Sequence, residues 1–306
     1  LIDGMVIKVD DMRLREKLGY TDKFPRWAMA YKFEAEETTT VLKDVVWNVG
    51  RTGKLTPLAS LEPVELCGAT VSRATLNNYG DIVRKKVKKG SRVFVRRSND
   101  VIPEILGVAE DNGGTEIQKP EVCPACGAKL VEEGALLFCP NENGCPPQIT
   151  GRIEHFVSKD CMDIRGISEK SVAQLYEKLD VRSVTDLYYL KADDVARLDG
   201  YKDKKTENFI SSVEKSKSVA LDRFINALGI ENVGKKTARD LALRFKSMNA
   251  LMDAERETLL EIEDIGEVVA DSITSYFGKH RALIEKFREI GIDPKIEQQT
   301  ANGVFS

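Results

Sequence analysis

Four cysteines fall within one short stretch, spaced Cys123-x2-Cys126-x12-Cys139-x5-Cys145. In "CPACG" a proline and a glycine make a tight turn that lets two thiolates converge on one ion. The second pair completes a four-thiolate tetrahedral set, which suits zinc. No coordination position is left open, so such a metal is structural, and a segment this small would depend on it to fold. Two disulfides are the alternative; with no secretion signal the cluster reads as metal first. Cys67 and Cys161 stand apart and read as ordinary buried thiols.

Two lysines raise a second possibility. Lys8 closes the strand-like run "DGMVIK", and Lys32 lies just inside the end of "AMAYKF". A strand lysine by itself is usually a solvated side chain. Two of them aimed at one cleft would clamp phosphate charge.

The third pattern is repeated. "IRGISEKSV", "LDGYKDKKT", "IENVGKKTA" and "IEDIGEVVA" align so that Gly166, Gly200, Asn232 and Asp264 lie 34, 32 and 32 residues apart. Each is flanked by helical periodicity, a helix–hairpin–helix arrangement. Such a hairpin normally has two glycines, two residues apart, whose backbone N–H groups point at a phosphate beside a helix N-terminus. Here each repeat keeps one: Gly166 and Gly200 at the first position, Gly234 and Gly266 at the second. Asn232 and Asp264 tolerate left-handed backbone. Lys235 and Lys236 make the third hairpin the best phosphate candidate; Asp264 and Glu267 make the fourth the poorest. A 34-residue helical solenoid that binds peptides is the competing reading, but its Trp, Leu-Gly and Tyr marks are missing.

These residues need a multidomain α+β frame. Residues 1–37 hold the two strand-like pieces around a short helix. Residues 38–117 carry about five short Val/Leu/Thr-rich strands broken by Gly, Pro and Asn, the content of an OB-fold barrel. Residues 118–150 hold the cysteines, 151–292 the four helical repeats, and 293–306 a polar linker followed by an apparent first strand of something else. With 46 Lys and Arg against 49 Asp and Glu the net charge is −3, which excludes a uniformly basic binder. Locally, "IVRKKVKKGSRVFVRR" (82–97) carries eight cations and no acid. No apolar run reaches membrane-spanning length.

Together these motifs resemble the NAD-dependent bacterial DNA ligases. "IDGMVIKV" and "FPRWAMAYKF" look like the fourth and fifth nucleotidyltransferase motifs, and "VGRTGKLTPLASLEPVELCGATVSRATLNN", "RRSNDVIPEILG", the cysteines and the hairpins follow in the family's order. The resemblance covers nearly the whole chain. It implies nick sealing in duplex DNA through lysyl-adenylate and DNA-adenylate intermediates, with NAD, zinc, and magnesium or manganese. It implies Lys8 and Lys32 as catalytic phosphate contacts, and Asp3, Gly4 and Arg26 as further nucleotide-site residues. Arg51, Arg73 and Arg97 match basic positions facing DNA, and Val101 and Ile102 match apolar residues packing on the minor groove. The hairpin residues Gly166, Gly200, Gly234, Lys235 and Lys236 complete the expected DNA contacts. Asn77 stands where many members have His.

No Lys-x-Asp-Gly nucleophile motif occurs in the sequence. The expectation is therefore an internal ligase fragment, cytoplasmic and monomeric, that binds nicked duplex but does not adenylate itself. A non-catalytic DNA-binding repair module is the alternative. Residues 1–37, as part of a larger sheet, are expected to be disordered or prone to associate when alone.

Overall fold

The computed structural model describes residues 4–21, 24–32, 36–98 and 102–296. They fall into two units. The first comprises residues up to 48, 56–119 and 134–136; the second comprises 49–55, 120–133 and the chain from 137 on.

The first unit begins with β1 (Gly4–Lys8), α1 (Met12–Leu18) and β2 (Ala28–Lys32). Asp11 caps α1 by accepting from the Arg13 amide at 2.8 Å. Strands β1 and β2 pair antiparallel, with Gly4 opposite Lys32 and Lys8 opposite Ala28. Where the sequence suggested disorder, the backbone pairs into a hairpin. Its apolar side chains remain uncovered, Met5, Val6, Ile7, Met29 and Tyr31 among them.

The barrel follows: β3 (Glu37–Val49), β4 (Leu55–Leu66), β5 (Ala69–Thr75), α2 (Tyr79–Lys85), β6 (Lys88–Lys89), β7 (Arg92–Ser98), β8 (Ile102–Glu110) and β9 (Thr115–Glu116). Five strands close in the order β3-β4-β5-β8-β7, with β7 returning to β3. All pairings described are antiparallel except β5 with β8, which is parallel at Thr75 and Glu104. This is the OB-fold topology. Alternate residues of each strand point inward, and Leu42, Ala59, Leu61, Ala74, Val93, Val95 and Ile105 fill the interior. Each fully buried Leu, Ile or Val contributes roughly 1.5–3 kcal/mol. Helix α2 was not anticipated; Asn78 caps it, its side chain accepting from the Asp81 amide at 2.9 Å. Cys67 is not a buried thiol as expected. It is half-buried, and with Gly68 it forms the turn between β4 and β5, at φ +52° and +71°. A two-residue hairpin of that hand needs positive φ at both positions.

In the second unit, β10 (Val131–Glu133) and β11 (Leu136–Phe138) lie within the cysteine segment. Helices α3 (Pro146–Val157), α4 (Glu169–Lys178), α5 (Ala192–Val195), α6 (Asp203–Ser216), α7 (Leu221–Ala227), α8 (Lys235–Phe245), α9 (Met248–Met252), α10 (Arg256–Leu260) and α11 (Glu267–Glu289) follow, with a 3-10 turn at Val184–Tyr189. Four helix pairs flank the four hairpins: α3 with α4, α5 with α6, α7 with α8, and α10 with α11. No pair can bury its apolar face alone. They share one core, in which Phe287 stacks on Phe156 at 5.6 Å and meets Phe224 edge-on at 5.1 Å. Among the described residues no helix is long and apolar enough to cross a membrane.

Candidate metal centre and nucleic-acid interface

The four cysteine sulfurs lie within 4.8 Å of one another. Cys123 Sγ is 3.8 Å from Cys145 Sγ, and Cys126 Sγ is 3.5 Å from Cys139 Sγ. A disulfide would need about 2.05 Å. Sulfurs at the corners of a zinc tetrahedron, with Zn–S of about 2.3 Å, stand roughly 3.8 Å apart. The donor set therefore fits zinc, and the disulfide alternative fails. Gly127, at φ +74°, makes the turn after the first pair, and its amide donates back to Cys123 O at 2.9 Å. Cys145 is the N-cap of α3, so the metal set also fixes where that helix starts. Burial pushes the Cys139 thiol up to about 12 and raises Cys145 too, while a backbone hydrogen bond from Ala128 lowers Cys126 to about 7. A cation among the four sulfurs allows all of them to ionise.

The hairpins share one backbone despite their different residues. Gly166, Gly200, Asn232 and Asp264 have φ of +84°, +78°, +61° and +65°. Two residues on, Ser168, Lys202, Gly234 and Gly266 are the extended N-caps of α4, α6, α8 and α11. The left-handed position is thus the one that needs Gly, Asn or Asp. Gly234 and Gly266, at φ −100° and −89°, need no glycine for their own conformation. A Cβ at either would meet open space within the protein. The hairpins are tied to one another: Tyr201 Oη donates to Gly166 O at 3.0 Å, and Asn232 Nδ2 to Ser272 Oγ at 3.2 Å. The third hairpin's lysines already meet carboxylates, Lys235 Nζ to Asp160 at 2.8 Å and Lys236 Nζ to Asp264 at 2.5 Å.

The barrel's basic run is likewise paired. Lys85 reaches Asp81 at 2.6 Å, Lys88 reaches Asp111 at 2.8 Å, and Lys89 reaches Asp44 at 2.5 Å. Arg96 meets Glu104 at 2.8 Å. The run has no acid of its own because neighbouring strands and loops supply them. Asp81 is the centre of one such network that sequence reading missed. Burial alone would raise its carboxyl, but hydrogen bonds from Lys85, Arg84 and Asn77 outweigh burial and bring it down to about 2. Asn77 itself sits at φ +59° and donates to Asp81 Oδ2 at 3.0 Å.

Other expected positions scatter. Arg73 is exposed on β5, and Arg97 is half-buried on β7 opposite Pro103. Ile102 begins β8 opposite Ser98; Val101 and Asp3 lie outside the described residues. Arg51 lies on the connection between β3 and β4, whose residues 49–55 group by contacts with the second unit. Gly53 O accepts from the Cys139 amide at 2.8 Å, and Arg51 Nη1 donates to Gly229 O at 3.1 Å. Lys8 and Lys32 share one face of the β1–β2 hairpin but occupy its opposite ends. Four residues of strand separate them, about 13 Å. Lys32 Cδ would lie 3.2 Å from a Cβ at Gly4, so a side chain there would crowd the lysine. Arg26 is exposed, its amide donating to Gly19 O at 3.0 Å.

Family models match the NAD-dependent DNA ligase adenylation domain at residues 1–36, the NAD-dependent DNA ligase OB-fold domain at 39–116, and the helix-hairpin-helix motif at 223–284. The chain is 53% identical to a DNA ligase of Alkaliphilus oremlandii over 306 residues, 98% of this chain and 46% of that protein. It is 54% identical to DNA ligase 2 of Clostridium acetobutylicum, over 97% of this chain and 45% of the relative. For the DNA ligase of Clostridium novyi the identity is 51%, over 100% and 47%. The chain spans about half the length of the curated relatives it matches.

Proposed function

Because the chain belongs to the NAD-dependent DNA ligase family, we propose that it is the part of such an enzyme that holds nicked duplex DNA. The whole protein would seal the nick, in replication and repair, using NAD and magnesium or manganese. The observation that carries this reading is the common hairpin backbone, with a left-handed residue followed two positions later by a helix N-cap. That geometry presents backbone amides to a phosphate without reading base sequence. A nick is recognised by shape, so sequence-independent contacts suit it.

Zinc, held by Cys123, Cys126, Cys139 and Cys145, supplies a structural crosslink. The nucleotide site is a different matter. Lys8 and Lys32 lie on one face of the hairpin, as two phosphate contacts would require, but the sequence offers no Lys-x-Asp-Gly nucleophile. We assign this chain no adenylation step. Arg73 and Arg97, with Val101 and Ile102, are proposed DNA contacts of the barrel, and a cytoplasmic monomer is the proposed state.

The test is equilibrium binding to nicked, intact and single-stranded DNA at several salt concentrations. Nicked duplex should bind best, with log affinity falling linearly with log salt. Indifference to DNA would support the peptide-binding scaffold instead. In parallel, incubation with labelled NAD should leave no covalent label on the chain.

A further inference from the structure

Between Cys139 and Cys145 the chain places an Asn-Gly pair, Asn143–Gly144, in a turn that leads into Cys145 and α3. A Cβ at Gly144 would stand 2.7 Å from Asn141 Oδ1 and 2.8 Å from its Nδ2. That side chain is not free to give way, because it donates to the Cys126 sulfur. Packing therefore asks for glycine at 144, while Asn143 itself is exposed.

An asparagine followed by glycine is open to attack by the backbone, since no Cβ shields the glycine nitrogen. The Gly144 nitrogen bonds to the Asn143 side-chain carbonyl carbon, and the amide proton leaves with Nδ2 as ammonia. A succinimide ring is left. Water then opens either of its carbonyls, giving aspartate or isoaspartate. No oxidant, metal or cofactor enters the balance.

The folded turn holds that step off. The Gly144 N–H points back to Asn141 O at 3.4 Å, and the Cys145 N–H shares that acceptor at 3.0 Å. From α3, Gln148 Nε2 donates to Asn141 O at 3.4 Å and Arg152 Nη2 to Glu142 O at 2.6 Å. Cys139 and Cys145 are both buried and bracket the turn, so a metal joining their sulfurs fixes it at both ends. Another Asn-Gly pair, Asn112–Gly113, lies between β8 and β9 under no such restraint. Both residues are exposed, and a Cβ at Gly113 would meet open space. The Gly113 N–H donates to Asp111 Oδ1 at 3.1 Å, an exposed side chain rather than a fixed carbonyl.

We propose that Asn143 is a metal-gated deamidation site. With the four sulfurs ligated the turn stays closed and the asparagine persists. When the metal leaves, the turn opens and Gly144 closes on Asn143. The isoaspartate product lengthens the backbone by one methylene and adds a carboxylate, two residues before Cys145. Because Cys145 is both a ligand and the cap of α3, a reversible loss of metal becomes a permanent one. This rests on the metal assignment and not on DNA binding.

The full chain would be aged in mildly alkaline buffer with zinc, with chelator, and with chelator in denaturant, and deamidation read site by site by peptide mass spectrometry. Asn143 should react as fast in chelator as in denaturant, and at least about tenfold more slowly with zinc bound, because it reacts only from the open turn. Asn112 should react at nearly the same rate with and without zinc. Equal rates at Asn143 in zinc and in chelator overturn the proposal, as does an Asn143 that survives in chelator while reacting in denaturant. Equal slowing of both sites by zinc overturns the local gate. Zinc is then restored to the aged chains. Those with isoaspartate at position 143 should fail to retain it, whereas Asn143→Gln, whose longer side chain does not close the same ring readily, should refill after identical ageing. Full refilling of the isoaspartyl chains, or failure of Asn143→Gln to refill, overturns the permanence. A fresh chain that takes up no zinc overturns the metal assignment and this proposal together; every other negative result leaves the metal assignment standing.

Discussion

The barrel and the hairpins use charge in opposite ways. The barrel concentrates cations in one run of sequence and then neutralises them, Lys85 on Asp81, Lys88 on Asp111, Lys89 on Asp44 and Arg96 on Glu104. The hairpins carry mixed charge in sequence, yet in all four the backbone amides at a helix start stand behind a left-handed residue. A local count of lysines therefore overstates the barrel as an electrostatic surface and understates the hairpins. Exposed ion pairs contribute only about 0–1 kcal/mol each, so those cations remain recruitable, but against competition. Backbone dipoles have no competing side chain and need none.

The two regions should also differ in what holds them together, and metal removal is the largest expected effect. A strong chelator, or Cys145→Ser, should release residues 120–157 to fast amide exchange, because a structural zinc of this kind supplies on the order of 10 kcal/mol of folding free energy. The barrel strands, residues 37–110, should keep their protection. Uniform loss across both regions would mean that they do not fold as separate units. Retained protection around Cys123 and Cys145 would mean that the cysteines need no metal.

Within the hairpins, the left-handed position and the cap position should separate cleanly. Gly200→Val places a β-branched side chain at φ +78° and should cost roughly 2–3 kcal/mol in denaturant unfolding. Gly234→Ala should cost well under about 1 kcal/mol, since the backbone there is extended and the space is open. If it nevertheless weakens DNA binding several-fold, the second glycine exists for the phosphate and not for the fold. Comparable destabilisation at both sites would undo the distinction.

The barrel's counterpart is Asp81. Its folded-state carboxyl is held near 2 against an ordinary 3.8. Stability from a lowered carboxyl is present above its unfolded value and drains as pH falls through the folded one. The shift corresponds to roughly 2 kcal/mol, lost between about pH 4 and pH 2. Asp81→Asn should therefore be less stable than the parent at pH 7 and nearly equal to it at pH 2. A gap that stays constant over that range would show that shape, not charge, makes Asp81 matter.

Much of this was legible beforehand, and the failures share a cause. The five barrel strands were bounded by Gly, Pro and Asn, and the cysteine spacing is a local signature. The hairpin repeat declared itself through period, even where Asn232 and Asp264 replace glycine. What sequence could not give was pairing across the chain. Asp81 lies just before the basic run it helps neutralise, but Asp44, Asp111 and Glu104 come from other strands and loops. Arg51 sits between β3 and β4, within the stretch that matches the OB-fold domain, and only the structure shows its loop also bound to Cys139 and Gly229, far along the chain. Lys8 and Lys32 come from different strands, so only the pairing of β1 with β2 shows that they share a face.

The smallest effect tests whether the two regions really handle charge differently. In the third hairpin the barrel's habit reappears, because Lys235 is held by Asp160 and Lys236 by Asp264. Lys235 in turn lowers the Asp160 carboxyl, so the pair stays ionised at neutral pH. For either lysine to reach a DNA phosphate, its carboxylate must be given up. Asp160→Asn and Asp264→Asn should each tighten DNA binding about two- to fivefold at low salt, a difference of under about 1 kcal/mol. They should also steepen the salt dependence, because a released lysine displaces one more counterion. The same change on the barrel, Asp44→Asn beside Lys89, should do as much only if the basic run also meets DNA. Tightening at Asp160 and Asp264 with none at Asp44 would place the phosphate contacts on the hairpins. Equal tightening at all three would return the barrel run to the binding surface that its composition first suggested.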